Sequence, residues 1–109
     1  MKQKEIVLVP FPFSDQTGQK VRPAVIVSND KFNTKSEDLL VCAITSNLKP
    51  SDYSIEIDQK DIELGSLHDK CVIKVESIIK MRKTLVIKKI ASIKETTFLK
   101  IKEILLKLF

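Results

Sequence analysis

The feature that most narrows what this chain can fold into is the rhythm of its apolar residues. Four short runs, "EIVLVPF" (5–11), "AVIVS" (24–28), "LLVCAITS" (39–46) and "CVIKVESII" (71–79), are rich in valine and isoleucine. Their length and β-branched composition fit buried or half-buried strands rather than helices. "YSIEID" (53–58) alternates apolar and polar residues, as a strand with one exposed face does. The segments "SDQTGQK", "NDKFNTKSED" and "NLKPSD" carry the turn-forming chemistry of loops. Pro10 and Pro12 cannot donate to a ladder, so the first strand should bend or end near Phe11. The period changes only near the end of the sequence. From Phe98 onward the apolar positions are 98, 99, 101, 104, 105 and 108, the stripe of an amphipathic helix. Ser92 and Glu95 have capping-box spacing at its start. "TLVIKKIASI" (84–93) reads equally as a strand or a short helix. Together these predict a mainly β protein: a small, strongly curved barrel with a C-terminal helix packed outside it.

The 109 residues, 43% hydrophobic and 30% charged, suit one domain spanning 1–109. No apolar run approaches the ~20 residues that a bilayer requires, so no membrane span is expected. The N-terminal stretch contains two prolines and no small-residue cleavage site, which speaks against a signal peptide and for the cytoplasm. Cys42 and Cys71 each lie inside an apolar run and read as buried reduced thiols. With a single histidine, no CxxC and no HExxH, no metal site or cofactor is expected. The net charge of +5 is uneven: residues 1–68 sum to −2 and residues 69–109 to +7. A positive field over part of a small domain favours polyanions or an acidic protein partner.

Four places could carry chemistry. In "GQKVRPAVIV" the proline after Arg22 biases that arginine toward extended backbone and so fixes where its side chain emerges. A guanidinium is always charged and grips phosphate oxygens in two places. The structural alternative is an arginine paired with a loop carboxylate such as Asp15 or Asp30. In "AITSN" (43–47) an apolar strand ends in Thr45, Ser46 and Asn47, whose small polar groups can donate to developing negative charge or simply shape a turn. His68, in "GSLHDKC", is the one side chain of a type that titrates near neutrality, and reads either as an acid–base group or as a loop residue with no role. Lys74 and Glu76 are two apart on an expected strand and project to one face, as a solvated charge pair or a polar floor.

The order "IVLVPFPFSDQTGQKVRPAVIVSND", "LLVCAITSN", "GSLHDKCVIKVESIIK" and closing helix resembles the MazF/PemK toxins of type II toxin–antitoxin systems over nearly the whole chain. The resemblance implies an SH3-like barrel of the CcdB/MazF type, forming a homodimer. It also implies a sequence-selective, metal-independent endoribonuclease that cuts single-stranded RNA, leaving a 2′,3′-cyclic phosphate and a 5′-hydroxyl, and that is neutralised by a cognate antitoxin. By position the family's catalytic arginine falls on Arg22 and its threonine or serine on Thr45, with Ser46 beside it. The later-strand carboxylate and basic residue of some members fall on Glu76 and Lys74. The chain has Lys4-Glu5 where the family commonly has Gly-Asp.

The chemistry is coherent on its own terms. Cutting RNA through its 2′-hydroxyl requires in-line positioning and stabilisation of extra negative charge, which Arg22 and Thr45 suit. Arginine, with a pKa above about 12, is a poor base, leaving proton transfer to Glu76, His68 or water. Phe13, Lys20 and Lys49 lie in flanking loops, placed to stack on bases or hold phosphates. The second reading is a non-enzymatic binding toxin on the same fold, of the gyrase-inhibitor kind, or a catalytically silent RNA-binding relative. Against it, "EILLKLF" at the chain end looks committed to packing.

Overall fold

The computed structural model describes residues 1–12 and 19–109, with Pro12 and Gln19 described by backbone alone. Seven strands are formed: β1 (Glu5–Pro12), β2 (Gln19–Ile26), β3 (Asp38–Thr45), β4 (Ser54–Ile57), β5 (Ile62–Gly65), β6 (Cys71–Arg82) and β7 (Lys88–Ile93). Helix α1 (Asp30–Lys35) lies between β2 and β3, and α2 (Glu95–Leu108) follows β7. The strands make one sheet in the order β4-β6-β3-β2-β1-β7-β5, every pairing antiparallel. The sheet curls into a half-barrel, in keeping with the mainly β expectation.

Alternation along the strands splits the apolar residues between the two faces. Ile6, Val25, Cys42, Ile44, Ile73, Val75 and Ile93 face inward, where Phe98 and Ile101 of α2 close the cluster. Val7, Val9, Phe11, Ala24, Ile26, Leu39, Val41 and Met81 form a second cluster on the opposite face. Each fully buried Val, Ile or Leu contributes about 1.5–3 kcal/mol, so two-sided burial explains why these strands read as near-continuous apolar runs.

The first strand ends at Pro12, one residue beyond Phe11, as the two prolines led one to expect. β1 pairs with β2 through Pro12↔Gln19. The Leu8 carbonyl accepts from Ile87 N–H (2.8 Å), so even-numbered positions near it point away from β2. Pro10 and Pro12 share that parity and lie beyond the last residue paired to β7, where no donor is needed.

Several local expectations are corrected. Part of "NDKFNTKSED" is helical, because Asn29 Oδ1 accepts from Phe32 N–H (2.8 Å) and starts α1. Ser92 lies within β7 and caps nothing; the N-cap of α2 is Lys94, without a side-chain bond. The helix start is held from outside instead. Asp61 accepts from Thr97 Oγ1 through its carboxylate (3.1 Å) and from Lys94 N–H through its carbonyl (2.9 Å). The ambiguous 84–93 segment resolves into a 3-10 turn (Lys83–Leu85) and β7. β5 carries no alternating signal and escaped the sequence reading. Finally, α2 does not commit all its apolar residues to packing. Ile104, Leu105 and Leu108 pack on the core, whereas Leu106 and Phe109 are 80% and 95% exposed.

Candidate active site

The site begins where two neighbouring strands part. β2 and β3 are paired only from Ala24↔Ala43 to Ile26↔Val41. Beyond that, β2 continues along β1 with Val9↔Arg22, and β3 continues along β6 with Thr45↔Val72. Ala24 and Ala43 face each other, so two residues further on each strand Arg22 and Thr45 project from the same face. That face carries the second apolar cluster at one end and this polar mouth at the other. The opening is a cleft of about 520 Å³, a size usual for ligand sites. It is lined by Lys20, Arg22, Thr45 and Ser46 from the strand ends, and by His68, Asp69 and Lys70 from the β5–β6 connection. Arg22 is half-buried, and β1 together with Pro23 holds its backbone extended.

Thr45 also lines a second recess, of about 250 Å³, shared with Asn47, Lys49, Ser54, Val72, Lys74 and Glu76. Val72 is its buried floor, and Lys74 and Glu76 rise from the same side of β6. Their ion pair is long, at 3.9 Å, and both ends are partly exposed, so it adds little stability. The strand end itself is built by local side-chain bonds. Asn47 N–H donates to Thr45 Oγ1 (3.1 Å), and Lys49 N–H donates to Asn47 Oδ1 (3.1 Å). These are the turn bonds that Ser, Thr and Asn favour, and they do not use up the hydroxyl. An oxygen that accepts from Asn47 still has its proton to donate. The turn and the donor are compatible roles of one residue.

The structure therefore brings Arg22, Thr45, Ser46 and Lys20 to one cleft, and Thr45, Lys49 and Glu76 to the adjoining one. Phe13 lies outside the described residues. His68 gains most from the fold. In sequence it is a lone loop residue; in space it lines the same cleft as Arg22 and Thr45. Its loop is fastened at the preceding residue: Leu67 N–H donates to Gln59 Oε1 (2.7 Å), and the Leu67 side chain packs on the core. Asp69 and Lys70 were not singled out, since placing them required knowing that β5 exists. Burial pushes the Cys42 thiol up to about 12, with the Glu76 carboxylate adding to it, and burial alone pushes Cys71 up to about 11. Both are inert thiols: Cys42 lies in the core, and Cys71, although it lines the cleft, is almost wholly buried. Among the described residues no three His, Cys, Asp or Glu side chains gather as metal ligands, and no helix is long and apolar enough to cross a membrane.

Comparison with known proteins follows the same lines. No curated protein sequence matches the chain. Among solved structures, a MazE–MazF complex from Deinococcus radiodurans superposes with a TM-score of 0.81 at 16% identity, covering 99% of this chain and 94% of that one. An endoribonuclease in complex with its cognate antitoxin, from a mycobacterial species, gives 0.74 at 15% identity over 98% and 92%. The Mycobacterium tuberculosis toxin MazF-mt6 gives 0.74 at 14% identity over 92% and 90%. At such identities the likeness speaks for the fold. The family model for PemK-like, MazF-like toxins of type II toxin–antitoxin systems, however, matches residues 2–109 of the sequence itself. With that match over nearly its whole length, the chain belongs to the PemK/MazF toxin family.

Proposed function

We propose that this protein is a sequence-selective, metal-independent endoribonuclease that cuts single-stranded RNA through the RNA's own 2′-hydroxyl. The observation that carries the reading is the meeting of Arg22 and Thr45 on one sheet face, at the mouth of a single cleft. The guanidinium neutralises non-bridging phosphate oxygens, and the Thr45 hydroxyl donates to the charge that grows as phosphorus becomes five-coordinate. Lys20, Ser46 and Lys49 hold the strand on either side. Requirement for the 2′-hydroxyl makes RNA, not DNA, the substrate. The products are a 2′,3′-cyclic phosphate and a 5′-hydroxyl. Two copies of the chain form the working unit, and a cognate antitoxin neutralises it through an acidic segment drawn to the positive second half. The test is cleavage of a mixed single-stranded RNA pool in EDTA. The wild type cuts and leaves cyclic-phosphate ends; Arg22→Ala, folded by circular dichroism, does not. Equal cutting by the Arg22→Ala protein removes the mechanism.

One observation favours a second reading. Leu106 and Phe109 stand exposed on α2, where packing was expected, beside Lys102. A binding toxin would use such an apolar tip to seize a protein target. A supercoiling assay run beside RNA cleavage separates the readings, since only the binding toxin inhibits gyrase without cutting RNA.

A further inference from the structure

We propose that His68 is the general acid of the reaction, giving its proton to the 5′-oxygen as that oxygen leaves. The assignment rests on the ribonuclease reading and settles a role that sequence position alone left open between an acid–base group and a loop residue.

The geometry points there because Thr45 separates two recesses. In an in-line displacement the entering and departing oxygens stand on opposite sides of phosphorus. A phosphate held by Arg22 and Thr45 has Glu76 in the recess on one side and His68 in the cleft on the other. Glu76 takes the 2′-hydroxyl proton, and the 2′-oxygen bonds to phosphorus. The bond from phosphorus to the 5′-oxygen breaks, its electron pair goes to that oxygen, and the His68 imidazolium supplies the proton. Exchange with water returns one proton to His68 and removes one from Glu76.

The other charged groups on that cleft are unsuited. Arg22, Lys20 and Lys70 carry donors suited to gripping phosphate oxygens, and a carboxylate such as that of Asp69 has no proton to give when ionised. An imidazole is the side-chain type that most often serves as acid or base, and the chain's single one stands on this cleft. It is also prepared for the task. Leu67 fixes the loop just before it, and the exposed ring enters no hydrogen bond or ion pair among the described residues.

The test uses the full-length protein and two RNAs that share a mapped cut site, one with the natural 5′-oxygen and one with sulfur in its place. A thiolate departs without being protonated, so the sulfur RNA does not require the acid. His68→Gln is expected to slow cutting of the oxygen RNA by about 10²–10⁴-fold. It should cut the sulfur RNA at the wild-type rate. Equal slowing on both RNAs, or no slowing on the oxygen RNA, overturns the assignment while leaving the nuclease reading intact. A wild-type protein that cuts neither RNA overturns the nuclease reading and the assignment with it.

Discussion

Replacing Thr45 with valine separates the two jobs of its side chain, because the structure lets each be sized. Valine keeps the β-branched shape that suits a strand end and deletes the hydroxyl. The lost structural bond is the one from Asn47 N–H at 3.1 Å. Asn47 is exposed, so water replaces that acceptor and the cost stays within about 1 kcal/mol. For a domain of this size that lowers the melting temperature by no more than roughly 4–8 °C. The catalytic loss is larger. Removing one preorganised donor to developing oxyanion charge costs about 10²–10³-fold, or about 2.7–4 kcal/mol. Thr45→Val should therefore keep its fold yet lose at least about a hundredfold in rate, while Thr45→Ser, which keeps the hydroxyl, recovers most of it. Single-turnover cleavage of a defined RNA, beside thermal melting of the same preparations, measures both. Wild-type cutting by Thr45→Val refutes the donor role. A rate loss that Thr45→Ser shares in full would mean that the methyl group, not the hydroxyl, matters.

Two further outcomes test the scaffold. Gly65 has φ of +89°, and a Cβ there would sit 2.4 Å from the Ile90 carbonyl oxygen and 2.7 Å from Ala91 Cα. Gly65→Ala should destabilise by at least about 2 kcal/mol, from backbone strain plus displacement of β7, read as a lower urea midpoint; an unchanged midpoint would show that this pairing tolerates separation. Cys42 and Cys71, shifted from 9.0 to about 12 and about 11, should resist a thiol-specific disulfide reagent at neutral pH until the protein unfolds. Because the folded state keeps these thiols protonated longer than the unfolded chain does, their contribution is complete below about pH 9 and lost as pH rises toward 11–12. Rapid labelling of native protein would contradict that burial.

Five of the seven described strands and the closing helix were legible because burial on one or both faces forces apolar periodicity onto the sequence itself. The family was legible for a related reason: Arg22-Pro23 and the polar end of β3 are local patterns, each written in neighbouring residues. Short local signals were harder. α1 lay hidden in polar residues because its start depends on one Asn29 bond. The start of α2 depends on Asp61, 36 residues from its partner Thr97, and no capping rule reads that far.

By itself, then, the sequence determined the class of fold and the family, and it put forward Arg22 and Thr45 as candidates. Only the tertiary structure decided how those residues relate. β2 and β3 part after Ala24↔Ala43, and that parting opens the cleft that Arg22 and His68 both line and leaves Thr45 on two recesses. The physical reason is that a side chain's face follows from strand alternation, which is local. The meeting of two strand ends with a distant loop follows from sheet register and curvature, which exist only once the whole sheet has formed.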